Sequence, residues 1–287
     1  MFNTAFSKTP QGGNLAGIVV PPSPLNPQEM QKIASLANYS ETVFIQPFDK
    51  KSFSFRYFTP RVEVEPCGHA TLAGLTYLKD SGQLAIPTGI FETAGGKFPY
   101  TVNTDIGSIF FQMPSPILGS FLDSEEIIDS LGITSDNLMS DLPIQRVCCG
   151  LWDIIIPVKS RHVLMTLTPK MDHIQKISTL HKATGYHVFA PGDSVYTAFC
   201  RNFSPAVRIP EEAATGTASC ALSAYLYAHC SDCPSSFLFR QGDALNRPSE
   251  IFVTMKQKNN NAIIYHVGGY ACFLKNEHHH SNLSMSG

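Results

Sequence analysis

The chain has 287 residues, of which 43% are hydrophobic and 15% are charged, with 21 basic and 23 acidic side chains. This share of apolar residues is enough for a sizeable core, which excludes a disordered or fibrous protein. The length is typical of two domains. Because the chain has no basic stripe, no apolar run of about 18 residues and no signal-like start, we expect a cytoplasmic protein with neither a nucleic-acid nor a membrane partner.

The first predicted helix begins near residue 27. Asn26 is a typical N-cap, Pro27 suits the first helical position and Glu29 can close a capping box. Apolar residues then follow at helical spacing, so we expect an amphipathic helix on the outside of the first half. Further outer helices are predicted at 124–131 and 171–180.

Strands are predicted where apolar residues alternate with polar ones or follow one another. The run at 53–60 alternates aromatic and polar side chains and is stopped by Pro60. Similar runs lie at 17–20, 42–47, 108–113, 154–158, 195–200, 251–255 and 263–274. The proline-rich stretch 113–116 is the predicted linker between two halves.

The sequence contains an internal duplication. Residues 56–62 read RYFTPRV and residues 201–207 read RNFSPAV. Residues 68–78 read GHATLAGLTYL and residues 216–226 read GTASCALSAYL. Because the two blocks recur in the same order, chance similarity between aromatic strands and small-residue helices is the weaker interpretation.

Each copy contains a helix without a polar face. The two helices begin at Gly68 and Gly216 and are apolar or small on every side, so each must be surrounded by protein. The sequence therefore predicts an α+β fold of two pseudo-symmetric domains. Each domain is expected to be a barrel-like, mostly antiparallel sheet around a central helix.

The two glycine-led helix starts predict a binding site. A helix N-terminus offers free backbone N–H groups and a partial positive charge, and glycine lets an anion approach the backbone. We expect Gly68 and Gly216 to lie at one cleft that holds a small-molecule carboxylate substrate. Two purely structural helix starts are the alternative.

Three titratable side chains near these starts are candidate catalytic residues. His69 lies at a positive helix end, which we expect to lower its pKa and keep the imidazole neutral. Glu212 precedes the second helix, and a raised pKa would suit it to general acid–base catalysis, whereas Glu211 is expected in a solvated turn or helix cap. The context of Glu41, at the start of an apolar run, favours a catalytic and a capping role equally.

Eight cysteines are present, and in a chain without an export signal we expect reduced thiols. Cys230 and Cys233 have the spacing of a zinc or redox pair, but no second such pair exists, so ordinary buried thiols are the preferred interpretation. The three histidines at 278–280 are interpreted as part of a flexible tail, 276–287. No metal site is expected.

Motifs along nearly the whole chain resemble the PhzF family of phenazine biosynthesis-like isomerases, within the diaminopimelate epimerase-like superfamily. They are AFSKTPQGGNLAGIVV, YSETVFI, RYFTPRVEVEPCGHATLAG, RNFSPAVRIPEEAATGTASCALSAYL, RQGDALNRPSEIFV and HVGGYACFL. The resemblance implies an active site between two similar domains, with neither a metal nor an organic cofactor. It implies that Glu41 shuttles a proton on the substrate beside His69. The substrate-binding residues that it implies are Ser40, Gly68, Gly216 and Thr217.

The sequence departs from the family pattern at several positions. The pair Glu212-Ala213 stands where the family has Asp-Pro, Ser219 where it has His, and Leu15 where it has Pro. One extra methylene at Glu212 can move the carboxylate by more than about an ångström, which is enough to change the substrate that fits.

The combined prediction is a cofactor-independent isomerase that moves a proton on a small, cyclic or amino-bearing carboxylic acid. The alternatives are an amino-acid epimerase or racemase and a non-catalytic binding or scaffold protein on the same fold. The superfamily's cofactor-free racemases use two thiols, and because Thr215 stands opposite Cys67, that mechanism cannot operate here. Low charge content and many aromatic strands lead us to expect a homodimer.

The duplication also predicts the domain boundaries. A sheet wrapped around a helix needs a covered edge, and the first half is the shorter one. We therefore expect the strand at 263–274 to cross back after a turn at 259–261. The first domain would comprise 1–113 plus 263–275 and the second 117–260, with both crossings acting as hinges.

Overall fold

The structure, a computed structural model, describes residues 1–47, 52–84, 87–258 and 262–273. Its helices are α1 (Pro27–Ala37), α2 (Gly68–Asp80), α3 (Glu125–Leu131), α4 (Arg161–Met165), α5 (Met171–Leu180) and α6 (Gly216–His229). Its strands are β1 (Phe2–Ala5), β2 (Asn14–Val19), β3 (Glu41–Pro47), β4 (Ser52–Phe58), β5 (Glu63–Val64), β6 (Thr88–Thr93), β7 (Gly96–Val102), β8 (Ile109–Gln112), β9 (Ile117–Phe121), β10 (Gln145–Cys149), β11 (Leu151–Pro157), β12 (Gly185–Pro191), β13 (Ala198–Ser204), β14 (Ile209–Glu212), β15 (Ser236–Gln241), β16 (Ser249–Gln257), β17 (Ile263–Gly269) and β18 (Ala271–Phe273).

The described strands form one sheet that does not close into a barrel. From edge to edge its order is β18, β1, β2, β3, β4, β6, β7, β8, β17, β16, β15, β13, β12, β11, β10, β9, with β5 beside β4 and β14 beside β13. Parallel pairs join β2 to β3, β4 to β6, β11 to β12 and β13 to β15. One strand order thus occurs twice, over β1–β8 and β10–β17. The predicted α+β fold of two related halves is confirmed, with an open sheet in place of barrels.

The two halves meet at the antiparallel pair of β8 and β17. Phe111 lies opposite Val267, and Phe110 lies opposite Gly268. A Cβ atom on Gly268 would clash with the carbonyl oxygen of Ile109, so this close approach requires glycine. One hydrogen-bonded ladder therefore runs through both halves.

Each outer edge of the sheet is covered by the segment that follows the other half. β9 follows the proline-rich stretch 113–116 and pairs with β10, whereas β18 pairs with β1. The run predicted as one strand at 263–274 is therefore two strands, separated at Tyr270, of which the first pairs with both β16 and β8. The predicted turn at 259–261, the end of that run and the predicted flexible tail lie outside the described residues. The domain boundaries stay a prediction.

We predict that β18 stabilises the fold through its pairing with β1. Three residue pairs join these strands, and each cross-strand pair contributes about 0.2–1 kcal/mol. A chain that ends after Tyr270 should therefore lose about 0.6–3 kcal/mol of unfolding free energy in a urea titration. A chain that ends after Phe273 is the matched control, and identical urea midpoints for these two chains would contradict the prediction.

The two central helices lie where the sequence predicts them, at 68–80 and 216–229. On α2, Ala70, Leu72 and Leu75 are completely buried. A Cβ atom on Gly74 would lie 2.8 Å from the side chain of Ile45, so α2 packs directly against β3. The helices thus form the core of each half and hold their N-termini fixed.

The outer helices cover the sheet as expected from their patterns. At the start of α1 the backbone N–H of Glu29 donates to Asn26 Oδ1 at 3.0 Å, and the N–H of Asn26 donates to Glu29 Oε2 at 2.8 Å. This is the predicted capping box. Among the described residues, no helix has the length and apolar character needed to cross a membrane.

Candidate active site

The N-termini of α2 and α6 meet at the junction of the two halves. A Cβ atom on Gly68 would lie 3.9 Å from the Cα atom of Gly216. The side chains of the N-cap residues, Cys67 and Thr215, make no capping hydrogen bond to these helix starts. Free backbone N–H groups and two partial positive charges therefore face a cleft of about 1040 Å³, which Gly68, Gly216 and Thr217 help to line.

Glu41, His69 and Cys67 form a cluster on the first-half wall of the cleft. Glu41 begins β3, His69 is the second residue of α2, and Cys67 directly precedes this helix. Cys67 Sγ lies 3.2 Å from His69 Nδ1, and Glu41 Oε2 lies 3.1 Å from His69 Nε2. Since only 9% of Glu41 and 4% of His69 are exposed, the imidazole is held between a thiol and a carboxylate away from bulk water.

The charges in this cluster differ from those predicted. Burial acts to lower the pKa of His69, but Cys67 and Glu41 together raise it well above its usual value. Burial acts to raise the pKa of Glu41, but His69, with help from Ser40, lowers it. The resting site therefore holds a carboxylate beside an imidazolium. The prediction of a neutral imidazole is wrong, because the combined influence of Cys67 and Glu41 outweighs that of burial.

Glu212 lies on the opposite wall, at the end of β14. Thr215 Oγ1 donates a hydrogen bond of 2.5 Å to Glu212 Oε2. Gln241 Nε2 donates to the Glu212 carbonyl oxygen at 2.8 Å and to Thr215 Oγ1 at 3.1 Å, so it holds this turn in place. Burial raises the pKa of Glu212, against the opposing influence of His69 and Thr215. Gln241 is not among the predicted site residues, although it lies in RQGDALNRPSEIFV, one of the motifs that carry the family resemblance.

Asp153 is a further carboxyl group of the cleft, one that is absent from the sequence prediction. It lies on β11 with 2% of its surface exposed and shares a strand face with Ile155, which packs in the core around α6. Burial, and then the proximity of Glu212, raises the pKa of Asp153 to about 8. At neutral pH it therefore offers an O–H donor. The available signal was a lone acid directly before the apolar run at 154–158.

Two further residues of the sequence prediction lie near the cleft. Ser40 is exposed, its hydroxyl donates to the carbonyl oxygen of Leu15 at 3.3 Å, and it is not among the residues that line the cleft. Glu211 accepts two hydrogen bonds from Arg201, at 2.8 and 2.9 Å, in a buried ion pair. The expectation of a solvated turn or cap at Glu211 is wrong, because this ion pair ties β14 to β13.

The cleft is rich in carboxyl groups. Those in its lining are Glu41, Glu63, Glu65, Glu92, Asp153 and Glu212. The lining also contains Arg56, whose guanidinium is already paired with Glu63 through two contacts of 2.7 Å. Among the described lining residues, no Lys or Arg side chain is left without a carboxylate partner.

The cysteines are all free thiols, as the sequence predicts. Cys230 is exposed and Cys233 is half-buried, so the expectation of two buried thiols fails for Cys230, which lies just past the end of α6. A different group has metal-binding character: one donor atom each from Glu41, Cys67 and His69 lies within 4.8 Å of the others.

Comparison with known proteins finds similarity over the whole fold. A family model described as phenazine biosynthesis-like protein, PhzC-PhzF, matches residues 3–276. A protein of Clostridium acetobutylicum named as an uncharacterized isomerase is 33% identical over 282 residues, which cover 93% of each chain. The crystal structure of a PhzF-family phenazine biosynthesis protein from Bacillus anthracis is similar over 96% of both chains, with a TM-score of 0.87 and 27% identity. A hydroxyproline epimerase from Agrobacterium vitis shares the fold alone, with a TM-score of 0.63 and 14% identity over 96% of this chain and 90% of that one.

Proposed function

The chain belongs to the PhzC-PhzF family of phenazine biosynthesis-like proteins, and from this premise we propose that it is an isomerase that moves a proton on a small carboxylic acid in the cleft. The observation that carries the proposal is the buried contact of the Glu41 carboxylate with His69 beside the two helix N-termini. The isomerase names of the curated relatives support the reaction type. The group that takes and returns the substrate proton is the Glu41 side chain, so the proposal includes no organic cofactor.

The paired helix starts support a carboxylate as the recognised group of the substrate. Gly68 and Gly216 present backbone N–H groups without a Cβ atom in front of them, and the two helix dipoles add to the attraction of an anion. Thr217, the residue after Gly216, adds a hydroxyl group to the lining of the cleft. An anion bound here lies beside His69, whose imidazolium adds a further positive charge.

Glu41 is the proposed acid–base residue. Its carboxylate takes a proton from one carbon of the substrate, and the electron pair of that C–H bond moves into the conjugated system next to the substrate carboxylate. The helix N–H groups stabilise the charge that develops there. The protonated Glu41 then returns the proton to another carbon, so one C–H bond breaks, one forms, and no atom is gained or lost. His69 keeps Glu41 ionised before the step, and Glu212 relays protons on the opposite wall.

The acidic lining supports an amino group on the substrate. Asp153 and Glu212 lie together on the second-half wall, and the described lining offers them no Lys or Arg partner. A substrate ammonium would supply that positive charge and would favour the ionised form of both carboxyl groups. Glu212 is also the position where the chain departs from the family pattern. An amino-bearing carboxylic acid would place its carboxylate at the helix starts and its amino group at this wall.

The two alternatives have less support. A two-thiol epimerase would need an acid–base group at Thr215, but its hydroxyl is donated to Glu212. A non-catalytic binding protein would not require Glu41 to be buried and ionised beside His69. A homodimer and a cytoplasmic location stay predictions from the sequence.

The proposal is tested by solvent exchange with the wild-type chain. Small carboxylic acids, each with and without an amino group, are screened for a rise in the unfolding temperature, and those that bind are incubated with the chain in deuterium oxide. We expect mass spectrometry to detect deuterium on carbon in at least one amino-bearing acid. Carboxylates that bind without any deuterium entry would favour the non-catalytic alternative and overturn the isomerase proposal.

We predict that Gly68→Ala weakens substrate binding without destabilising the fold. The added Cβ would meet no atom closer than 3.9 Å, so the helix start accepts it, but it would cover the backbone that faces the substrate carboxylate. Loss of one hydrogen bond to a charged group corresponds to about a tenfold or greater rise in KM. Steady-state kinetics and the urea midpoint check this result: a lowered midpoint, or an unchanged KM, would contradict it.

A further inference from the structure

Glu41, His69 and Cys67 combine a carboxylate, an imidazole and a thiol, and all three side chains line the cleft. We propose that this cluster is a binding site for a thiophilic divalent cation such as Zn²⁺, which would occupy the acid–base residue and inhibit the chain reversibly. The cation-binding part of this inference stands without the proposed reaction. Only the inhibition rests on the proposed function.

The distances suit a tetrahedral cation. Zinc bonds of about 2.0–2.3 Å to oxygen, nitrogen and sulfur place neighbouring ligand atoms about 3.3–3.6 Å apart in a tetrahedron. Here His69 Nε2 lies 3.1 Å from Glu41 Oε2 and 4.0 Å from Cys67 Sγ. The three donor atoms lie within 4.8 Å of one another, so shifts of well under about 1 Å per side chain would bring them to these bonds.

Glu41 carries a second, independent indication. Its Oε2 atom lies 3.1 Å from His69 Nε2, yet it is buried and has no hydrogen-bond partner of acceptable geometry among the described residues. A cation between the two atoms would take the place of the imidazolium proton and bind both atoms.

The site would leave one coordination position for the cleft. Three protein ligands and an open fourth position are typical of exchangeable or catalytic zinc sites, whereas structural sites use four protein ligands. The thiol selects soft or borderline cations over Mg²⁺, which prefers oxygen ligands in octahedral geometry. A bound cation would also engage the Glu41 carboxylate, so this residue could no longer accept a proton from the substrate.

Two other parts of the chain could bind zinc and must be removed from the measurement. Cys230 and Cys233 have metal-pair spacing, and three histidines stand at 278–280. The reference protein is therefore the full chain with Cys230→Ser, Cys233→Ser and alanine at 278–280. Cys67→Ser and His69→Asn are then introduced singly into it, since each keeps the side-chain size and removes one donor.

Zn²⁺ binding to these proteins is measured by calorimetry, and Co²⁺ binding by absorption spectroscopy. We expect the reference protein to bind one Zn²⁺ with a Kd on the order of 1 μM or below. Its Co²⁺ form should show a thiolate-to-cobalt absorption band, and Mg²⁺ should not compete. Cys67→Ser should abolish the band, and both single substitutions should raise the Kd more than about tenfold.

One further measurement avoids variants that fold poorly. Cys67 of the wild-type chain is alkylated by iodoacetamide with and without Zn²⁺, and its modification is followed by peptide mass spectrometry. We expect Zn²⁺ to slow the alkylation of Cys67 at least tenfold more than that of Cys148. A reference protein that binds no Zn²⁺ at micromolar concentration, or a cobalt form without a thiolate band, would overturn the proposal. Binding that persists unchanged in Cys67→Ser would do the same.

Discussion

Glu41→Gln is expected to incorporate solvent deuterium into the substrate about 10²–10⁴-fold more slowly than the wild-type chain, the range that a positioned acid–base group contributes. The amide has the size of the carboxylate but cannot accept the proton. Because the side chain is 9% exposed and begins β3 within the core, the substitution preserves the packing. Glu65→Gln, at the exposed rim of the cleft, removes the same charge and should leave the rate within about twofold.

We expect the loss of exchange rate in Glu41→Gln not to increase when His69 is also replaced. His69 lies 3.1 Å from Glu41 and keeps it ionised, so the two residues act as a unit. His69→Gln alone should slow exchange by about 10²-fold, and the double variant should be no slower than Glu41→Gln. His69 lowers the pKa of Glu41, so its removal should also move the acidic limb of the rate–pH profile to higher pH.

These measurements separate the roles of the two residues. A Glu41→Gln rate equal to that of wild type would assign the base elsewhere. Losses that multiply in the double variant would show that Glu41 and His69 act independently. An acidic limb that stays in place in His69→Gln would contradict the charge state of the cluster.

Asp153→Asn is expected to stabilise the fold, and to do so increasingly as the pH rises. Burial and Glu212 raise the pKa of Asp153 from 3.8 to about 8. Between these two values the unfolded chain has lost the proton that the folded chain keeps. The folded state therefore binds more protons, and its free energy of unfolding falls as the pH rises through this interval.

The size of the effect follows from the same interval. One pKa unit corresponds to about 1.4 kcal/mol, so Asp153 should lower the stability at pH 8 by about 5 kcal/mol relative to pH 4. Asparagine has no such proton. The variant and the wild-type chain should therefore be equally stable near pH 4 and differ most at pH 8.

Urea titrations at pH 4, 6 and 8 test this prediction, with Glu65→Gln as the control for loss of an exposed carboxylate. The gain of Asp153→Asn over wild type should grow with pH, and Glu65→Gln should show no such growth. A constant difference between pH 4 and pH 8 would mean that Asp153 is ionised in the folded state. Asp153 lines the cleft and lowers stability near neutral pH. These properties suit a role in substrate binding better than a role in stabilising the core.

The elements predicted well are those determined by local sequence. A glycine followed by three apolar turns defines α2 and α6, and the pattern Asn-Pro-x-Glu at residue 26 defines the start of α1. These signals depend on side chains within a few residues of one another. They therefore need no knowledge of what packs against the helix.

The strands that the sequence did not indicate depend on partners far along the chain. Over β6, only Phe91 and Thr93 are buried, so its alternation is too weak to distinguish it from a loop. β12 is buried over most of its length, but its parallel pairing with β11 cannot be inferred from a short apolar run alone. Pairing, not local propensity, makes these segments strands.

In the candidate site, too, local sequence indicates some features, whereas others depend on contacts between distant segments. The two helix starts indicate His69 and Glu212, the family motif indicates Glu41, and the structure places all three in one cleft. The charge of His69 depends on Cys67 and on a carboxylate from β3. The protonation of Asp153 depends on its burial and then on Glu212 from a different strand. Such effects arise only once distant segments are brought together.

The edge strand β18 follows the second half but pairs with β1 of the first half. This pairing governs the order in which the chain can fold during its synthesis. β1 is translated long before its partner β18, which is the last described strand in chain order. Until then the nascent first half carries an open sheet edge with unpaired N–H and C=O groups, to which another chain could add. Domains commonly fold one after another as they are made, but here the edge of the first half stays uncovered until β18 has been translated. Its exposure to aggregation is therefore set by the time needed to translate the second half.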